Sequence, residues 1–502
     1  MEAPLFLKGL FAALAAVYLV CALLVFVYAV NCYVLMYFFG RRRAAVNRAS
    51  DDFLAAFWAR ASDDHLPVVT TQLPVYNERN VVERLIDAVA AIEYPRHLHE
   101  IQVLDDSTDC TTTVIAAAVA RLRAEGADIH HVRRGTREGF KAGALQHGME
   151  SCRGEYLAIF DADFLPPRDF LRKTVPFLIE RPANAAVQTR WTHLNERFSW
   201  LTIAQAIALD SHFAVGQGAR AWNNLYMNFN GTAGLWRKEA IGASGGWQSD
   251  TLTEDMDLSY RAQLNGWKIE FVFNVTAPAE LPMDMNAFKS QQYRWAMGAL
   301  QVAIKLLPRI LASNDRLMRK LQAVMHLTNN VIYPCTLVLM VCAIPLIFLA
   351  HRILPAWGWM AVFTVLIASA MAPSSMHFYA QRMVRRDWWR QLPYLPWLMC
   401  VGAGLAVNNS RAVLDAFIGA KSGFVRTPKR GTSSAPAATY RVRASATTWI
   451  ELALGLYCLA SFSICIWQTQ WLFSYFMLVN ALGFLYVGTA SLAEERFHRS
   501  PA

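Results

Sequence analysis

The stretch EYLAIFDADF, residues 155–164, is a short apolar run that ends in two carboxylates. Two similar runs precede it, LPVVTTQLPVYN at residues 66–77 and EIQVLDDS at residues 100–107. Segments with a helical pattern lie between these runs, over Val81–Ile92 and Thr111–Glu125. Short apolar strands that alternate with helices of roughly a dozen residues are typical of βαβ units. The sequence therefore predicts an α/β domain with a parallel sheet.

Four groups of polar and acidic residues follow these strands or lie in loops of the same domain. They are Tyr76, Asn77 and Glu78; Asp105, Asp106 and Asp109; Asp161 and Asp163; and Glu254, Asp255 and Asp257. Ligands of such sheets bind beyond the carboxyl ends of the strands, so these side chains are candidates for one site. Asp161 and Asp163 could hold Mg²⁺ or Mn²⁺ and leave positions for phosphate oxygens, or could be ordinary turn and helix-cap residues. Four such groups on one sheet edge favour the interpretation that Asp161 and Asp163 bind a metal ion.

Lys141 begins a helical run in REGFKAGAL, residues 137–145, where it could neutralise a phosphate or be a solvated surface lysine. The sequence contains no Walker A, GxGxxG, HExxH or GxSxG pattern, which weighs against P-loop and dinucleotide binding. The acidic groups and Lys141 together favour metal-assisted transfer from a nucleotide-activated donor, because a diphosphate leaving group needs a cation and an acceptor hydroxyl needs a base. Asp255 is the predicted base, since it lies in a separate loop from the metal pair; its alternative role is to cap the following helix.

The segment QQYRW, residues 291–295, stands where the polar domain gives way to long apolar segments. Its glutamines and arginine offer fixed donors and acceptors, and its tryptophan offers a flat apolar face. This set could hold a sugar or a phosphate, or could be an ordinary anchor at the membrane interface.

The composition indicates a membrane protein. The chain has 502 residues, is 55% hydrophobic and has a mean hydropathy of +0.22, which is too apolar for a wholly soluble enzyme. Arginine clusters flank the apolar runs, so the net charge of +10 follows the positive-inside rule and does not indicate nucleic-acid binding. The nine cysteines show no metal-type spacing and are predicted to be small buried hydrophobes in a reducing setting.

Five segments are predicted to span the membrane: Leu5–Phe39, Val331–Leu349, Trp357–Ala372, Ile450–Trp467 and Trp471–Ala490. The carboxyl half of Pro393–Ala420 is broken by polar residues and is predicted to lie on the membrane surface. The predicted units are therefore residues 1–43 as the N-terminal span, 44–308 as the α/β domain, 309–378 as an interfacial segment with two spans, 379–447 as a cytosolic and interfacial segment, and 448–502 as the final hairpin and tail. Five spans put the N-terminus outside, and the α/β domain and C-terminus in the cytosol, at a plasma or inner membrane.

The acidic groups and QQYRW occur in an order that resembles a known signature. Asp105 with Asp106, Asp161-x-Asp163, Thr253-Glu254-Asp255 and Gln291-x-x-Arg294-Trp295 are similar to the D, DxD, TED and QxxRW elements of membrane-embedded, processive family 2 glycosyltransferases. The strings QVLDDSTD, FKAGAL, AIFDADF, FNGTAGLWR and EDMDL resemble the cellulose-synthase-like A branch of the cellulose synthase superfamily, which includes mannan and glucomannan synthases, and its bacterial relatives. The resemblance covers roughly residues 66–300 and implies a GT-A fold, a Rossmann-like α/β domain, inserted between transmembrane helices.

The resemblance also implies roles for individual residues. The nucleotide sugar would be bound by Pro74, Tyr76, Glu78, Asp105, Asp106, Lys141, Asp161, Gln291 and Arg294. The acceptor would be bound by Asn230, Gly231, Thr232 and Trp295. Asp161 and Asp163 would hold Mg²⁺ or Mn²⁺, and Asp255, beside Glu254, would deprotonate the acceptor hydroxyl.

A later segment, FVRTPK at residues 424–429, is similar to the FxVTPK gating loop of cellulose synthases, although the order around Val425 and Arg426 departs from that pattern. Phe424, Thr427 and Lys429 would then cover the active site, and the alternative is a basic loop that touches anionic lipid.

The implied activity is inverting transfer of hexose from GDP-mannose, GDP-glucose or UDP-glucose to a β-1,4-mannan, glucomannan or β-glucan, with translocation of the polysaccharide. One alternative is transfer of a single sugar to a membrane lipid, and another is a transporter that binds its ligand without catalysis. The sequence leaves open the donor, the linkage and whether the protein forms a homo-oligomer.

Overall fold

The computed structural model describes residues 5–350, 356–420, 445–468 and 470–497. The strands are β1 Val69–Val75, β2 His99–Asp105, β3 Asp128–Val132, β4 Tyr156–Ile159, β5 Asn184–His193, β6 Gly234–Arg237 and β7 Lys268–Ala279. The helices of the α/β domain are α2 Val82–Ala90, α3 Thr111–Ala124, α4 Phe140–Ser151, α5 Phe170–Thr174, α6 Pro176–Ile179, α7 Trp200–Ser211, α8 Gly218–Trp222, α9 Lys238–Ala243 and α10 Glu254–Leu264. The remaining helices are α1 Leu5–Arg60, α11 Met285–Ala312, α12 Leu317–Leu327, α13 Ile332–Ala350, α14 Ala356–Val384, α15 Leu395–Gly404, α16 Ala406–Phe417, α17 Thr447–Trp467 and α18 Trp471–Phe497.

The seven strands form one mixed sheet in the order β3-β2-β1-β4-β6-β5-β7. The pairs β3-β2, β2-β1, β1-β4 and β5-β7 are parallel, which confirms the predicted α/β fold. Apolar side chains such as Val69, Leu73 and Leu157 are fully buried, as expected for strands that helices cover on both faces. The antiparallel strand β6 was not predicted, because its four residues, GLWR, lack the apolar run that identified the equally short strand β4.

The N-terminal helix α1 has 56 residues and is about 84 Å long at 1.5 Å per residue. It is much longer than the roughly 30 Å of a bilayer core, and it continues past the predicted domain boundary at residue 43. Its final turns pack on the α/β domain, where the ring centroids of Phe53 and Phe177 lie 4.9 Å apart. The residues that follow the first span are therefore part of the support of the α/β domain.

Five helical segments among the described residues are long and apolar enough to cross a membrane, namely Ala12–Arg60, Met285–Ala312, Asn329–Leu346, Thr447–Trp467 and Phe473–Glu495. Four of them overlap predicted spans, and the predicted span Trp357–Ala372 lies within α14. The fifth segment is α11, which was predicted as part of the α/β domain. Half of the most apolar 18-residue segment of α11 is buried inside the protein, whereas only 17% of the corresponding segment of the N-terminal helix is buried. Packing against protein therefore accounts for much of its apolar surface.

Two glycines allow α15 and α18 to cross at very short range. A Cβ atom on Gly404 would overlap the carbonyl oxygen of Gly483, and one on Gly483 would overlap the carbonyl oxygen of Cys400. Small residues at such crossings let the backbones of membrane helices approach closely. The close contact fixes the position of α18 against α15.

Replacement of Gly404 by alanine is therefore expected to lower the free energy of unfolding by about 1–3 kcal/mol, because the added methyl group meets backbone that cannot move aside. The measurement is thermal unfolding of the purified protein in detergent. Gly402 is a matched control in the same helix, since a Cβ there meets no atom within 4 Å. A Gly402→Ala variant as unstable as Gly404→Ala would contradict the packing explanation.

Candidate active site

A cavity at the carboxyl ends of β1, β2 and β4 gathers most of the residues that the sequence singled out. The predicted site residues that line it are Pro74, Tyr76, Glu78, Asp106, Lys141, Asp161, Asp163, Asn230, Gly231, Glu254, Asp255, Gln291, Arg294 and Trp295. The residues at or just after the ends of β1, β2 and β4 meet because these parallel strands end at one edge of the sheet. The others come from α4, α10, α11 and the loop before β6.

Two predicted site residues lie behind the cavity wall. Asp105 is 1% exposed, and its carboxylate accepts hydrogen bonds from the Ser107 amide at 2.8 Å and from His131 Nε2 at 2.9 Å. Burial opposes its charge, but these hydrogen bonds lower the pKa of Asp105. Thr232 is fully buried, and its hydroxyl accepts a hydrogen bond from the Asp161 amide at 2.9 Å. Both residues therefore support the turns that carry Asp106 and Asp161. The predicted gating-loop residues Phe424, Thr427 and Lys429 lie outside the described residues.

At one end of the cavity a charged and aromatic group follows β1 and β2. The carboxylate of Asp106 is held by Arg134 through two hydrogen bonds of 2.8 and 2.6 Å. The guanidinium of Arg137 lies 3.3 Å from the centroid of the Tyr76 ring. A planar cation stacked on an aromatic ring beside a fixed carboxylate offers flat faces and hydrogen-bond acceptors, which are the features that bind a nucleobase.

Lys141 lines the cavity and contacts two of its other residues. Its Nζ donates to Asp161 Oδ1 at 2.5 Å and to the carbonyl oxygen of Gly231 at 2.9 Å. Burial opposes the charge, but the carboxylates of Asp161 and Glu254 outweigh it and raise the pKa of Lys141. The ammonium group therefore stays charged inside the cavity.

Position 231 requires a glycine, both for its backbone conformation and for the space around it. Its φ is +79°, and a Cβ there would lie 3.0 Å from Asp255 Oδ2 and 3.3 Å from Lys141 Nζ. Residues with side chains rarely adopt this φ, so glycine fits here. The same contacts show that the Asp255 carboxylate and the Lys141 ammonium approach the same backbone position.

Glu254 and Asp255 form the first turn of α10. Asp255 Oδ1 accepts a hydrogen bond from the Met256 amide at 2.8 Å, so the carboxylate caps part of the helix as well as lining the cavity. Burial, and then the neighbouring Glu254 carboxylate, raise the pKa of Asp255 to about 7. Burial also raises the pKa of Glu254. A carboxylate with a pKa near neutrality is suited to take and release a proton at physiological pH.

Three of the QQYRW residues lie on one face of α11. Gln291, Arg294 and Trp295 are spaced by three and four residues, so they share a helical face, and all three line the cavity. Their amide, guanidinium and indole groups therefore face the same space as Lys141 and Asp255.

The carboxylates of Asp161 and Asp163 are the predicted metal ligands. Within the described ranges, no group of three or more His, Cys, Asp or Glu side chains is arranged to hold a metal ion. Mg²⁺ is commonly bound through one or two carboxylates, with waters and substrate phosphates completing its shell. The Asp161 side chain is 35% exposed, so the donor set fits a cation that is shared with a phosphate-bearing substrate.

Among the other residues that line the cavity are Arg137, Trp191, His193 and Glu280, which the sequence did not single out as site residues. Glu280 directly follows β7 and pairs with Arg84 at 2.6 Å, so the strand-end rule that found the other carboxylates could have found it. Trp191 and His193 lie at the end of β5, and no local pattern distinguishes them from core residues.

Two family models match overlapping parts of this chain. The family described as "Glycosyltransferase like family 2" matches residues 67–298, and the family described as "Cellulose synthase" matches residues 233–459. The chain is thus similar to the family 2 glycosyltransferases of the cellulose synthase superfamily. The predicted family is thus confirmed.

Curated relatives of this chain include plant proteins. A probable glucomannan 4-beta-mannosyltransferase 7 from Oryza sativa subsp. japonica is 38% identical over 322 residues, which are 62% of this chain and 55% of the relative. A glucomannan 4-beta-mannosyltransferase 2 from Arabidopsis thaliana is 36% identical over 324 residues, which are 62% of this chain and 61% of the relative. The chain thus spans less than two thirds of the length of these relatives.

Among solved structures, a mannosyltransferase from Pyrobaculum calidifontis in complex with GDP-Man and Mn²⁺ is similar to this chain. It covers 83% of this chain and 100% of its own, with a TM-score of 0.50 and 20% sequence identity. This likeness concerns the fold alone, and together with the family match it confirms the predicted GT-A-like domain.

Proposed function

We propose that this protein is a membrane-embedded, inverting hexosyltransferase that extends a β-glycan, of the β-1,4-mannan, glucomannan or β-glucan type, from a nucleotide sugar. One observation carries the proposal. The carboxylate of Asp255, whose pKa is raised, lines the same cavity as the ion pair between Lys141 and Asp161. The first group can accept a proton from a hydroxyl, and the second can receive a phosphate. The names of the plant relatives support a mannan or glucomannan product.

The reaction needs one proton acceptor and one leaving group. Asp255 takes the proton of the acceptor hydroxyl while that oxygen forms a bond to the anomeric carbon of the donor. The bond from this carbon to the diphosphate breaks on the opposite side, and its electron pair leaves with the nucleoside diphosphate. The configuration at the anomeric carbon is inverted, because a single displacement takes place. Lys141 and Arg294 then stabilise the negative charge that develops on the diphosphate.

The donor is proposed to lie along the strand ends. Tyr76, Asp106 and Arg137 would surround the base, and Gln291 with Arg294 would contact the diphosphate. A divalent cation would be held by Asp161 and Asp163, and it would supply positive charge to the leaving diphosphate. Trp295 would present its ring to the acceptor sugar, since aromatic faces pack well on the apolar faces of sugars.

The proposal is tested by a donor screen on the purified protein. GDP-mannose, GDP-glucose and UDP-glucose are each supplied with Mg²⁺, with Mn²⁺ or with a chelator, and the product is analysed for its linkage. Incorporation of hexose into a β-linked product from at least one donor is expected. If no donor yields a glycoside, the proposal is wrong.

Product length separates a polymer from a glycolipid. A polysaccharide synthase releases or retains long chains when the nucleotide sugar is the only substrate, whereas a lipid glycosyltransferase yields short products that extract with lipid. We propose the polymer and its passage through the membrane helices, supported by the match of residues 233–459 to the cellulose synthase family. Short lipid-linked products alone would contradict this part of the proposal.

The proposed orientation places the N-terminus outside and the catalytic domain in the cytosol. The cluster Arg41–Arg43 follows the first span, and such clusters remain on the cytosolic side. Because the same helix continues without a break to Arg60 and packs there on the catalytic domain, that domain is expected on the same side. Reporter fusions at the two termini measure the orientation, and an outside C-terminus would contradict it.

The raised pKa of Asp255 predicts the pH dependence of the reaction. Only the ionised carboxylate accepts a proton, and below the pKa of about 7 most of the group is protonated. We therefore expect kcat to rise nearly tenfold per pH unit well below neutrality and to level off above it, as for a general base. Because Glu254 titrates beside it, the midpoint belongs to the pair. Measurement of kcat at saturating donor tests this, and a flat profile across neutrality would contradict it.

A further inference from the structure

Helix α11 has two faces with different partners. Gln291, Arg294 and Trp295 line the cavity, whereas Lys289 and Tyr293, four residues apart, lie on the opposite side of the helix at 100° per residue. Both of these residues contact helices from the C-terminal part of the chain. The cavity face of α11 is therefore held from behind by elements that lie outside the α/β domain.

The contact of Lys289 is a buried ion pair. Its Nζ lies 2.8 Å from the carboxylate of Glu451 on α17, and the two side chains are 4% and 0% exposed. Its backbone carbonyl accepts a hydrogen bond from Asn408 Nδ2 on α16 at 3.0 Å. A buried ion pair often stabilises a fold no more than apolar residues of the same size would, but it strongly disfavours any arrangement that separates the charges. The pair thus favours one position of α11 against α17.

The contact of Tyr293 fixes the next turn. Its hydroxyl donates to Asp415 Oδ2 on α16 at 2.6 Å. Asp415 also pairs with Arg411 on the same helix at 3.3 Å. A hydroxyl that donates to a partly buried carboxylate makes a strong, charge-assisted hydrogen bond. Tyr293 is adjacent to Arg294, so this bond restrains the backbone that carries the guanidinium.

The first turn of α11 is held by α18. The carboxylate of Glu494 accepts hydrogen bonds from the amides of Met285 at 2.5 Å and Asn286 at 3.0 Å. The side chain of Asn286 donates to the carbonyl oxygen of Ser491 at 3.0 Å. These amides have no partner within the helix, and a carboxylate there also complements the helix dipole. The C-terminal helix of the chain thus caps the helix that carries Gln291, Arg294 and Trp295.

From these contacts we propose that Glu451, Asp415 and Glu494 are positioning residues, which hold α11 so that Gln291 and Arg294 contact the diphosphate of the donor. Lys289 and Tyr293 are their partners on the helix. The inference rests on the proposed function, because it assumes that the cavity binds a nucleoside diphosphate. It assigns a role in substrate binding to side chains that do not line the cavity.

The test compares ligands that differ by one phosphate. The affinities of GDP and GMP, or of UDP and UMP if the enzyme uses a uridine donor, are measured on the full-length protein in detergent. Tyr293→Phe removes one hydroxyl and keeps the ring. It is expected to weaken binding of the diphosphate about three- to tenfold, as for loss of one hydrogen bond, and to leave binding of the monophosphate unchanged. The value of kcat/KM for the nucleotide sugar should fall by the same factor.

Tyr457→Phe is the matched control, because its hydroxyl donates to the Val341 carbonyl oxygen on α13 at 2.9 Å and not to a group on α11. Glu451→Gln provides a second variant, and its expected loss of diphosphate binding should be larger. Equal weakening of both nucleotides, or no weakening of either in Tyr293→Phe, would overturn the positioning role. A wild-type protein that binds the diphosphate no more tightly than the monophosphate would instead show that the proposed diphosphate contact is wrong.

Discussion

Replacement of Asp255 by asparagine is expected to lower kcat by on the order of 10²–10⁴, the usual contribution of a general base. Asparagine has nearly the same shape, but its side-chain oxygen cannot accept a proton from an acceptor hydroxyl at neutral pH. It still accepts the hydrogen bond from the Met256 amide that Asp255 Oδ1 accepts at 2.8 Å, so the first turn of α10 should remain intact. Nucleotide affinity should therefore change little.

The measurement is hexose incorporation at saturating donor, together with binding of the nucleoside diphosphate. Asp250→Asn removes a carboxylate whose side chain is 57% exposed and pairs with Lys305, and it controls for the loss of one negative charge near α10. An Asp255→Asn variant with unchanged nucleotide binding and no transfer would exclude a transporter that merely binds its ligand. Full activity in that variant would remove Asp255 from the mechanism.

The cavity carboxylates that follow β1, β2 and β4 could be predicted from the sequence because each is encoded locally. A buried apolar run followed by Asp161 and Asp163 marks the end of a strand, and parallel strands end at one edge of the sheet. Prediction of a site at the strand ends needs no knowledge of the contacts between strands. The strand-end rule also explains why Asp105 was predicted beside Asp106, although only Asp106 lines the cavity. Successive residues of a strand point to opposite faces, and the sequence does not show which face the cavity uses.

Other parts of the site depend on contacts that no local pattern records. Trp191 and His193 lie at the end of β5, whose neighbours are β6 and β7, and their place in the cavity depends on that strand order. Helix α11 combines apolar residues, which suit a membrane span, with polar residues on the cavity face. Composition does not distinguish burial in lipid from burial against protein, since both remove apolar surface from water. The contacts of Lys289 with Glu451 and of Tyr293 with Asp415 span more than one hundred residues each.

Replacement of Lys141 by methionine is expected to have the second large effect, a fall in kcat of about 10²–10³, as for removal of one group that stabilises developing charge. Its ammonium contacts Asp161 and the Gly231 carbonyl oxygen, and in the proposed mechanism it offsets the charge of the leaving diphosphate. Methionine has similar length and fills the same space without the charge. The Lys238→Met variant is the matched control, because Lys238 donates to the Cys152 carbonyl oxygen and does not line the cavity.

The same variant should also move the pH profile, which separates a role in the site from a general loss of stability. Burial and the Glu254 carboxylate raise the pKa of Asp255, and the positive charge of Lys141 partly opposes them. The resulting pKa of Asp255 is about 7. Without that charge, the carboxylate should require a higher pH to ionise, so the midpoint of kcat against pH should shift to a value above that of the wild type. A fall in kcat with an unchanged midpoint would mean that Lys141 acts on the phosphate alone. An unchanged kcat would contradict both of its proposed roles.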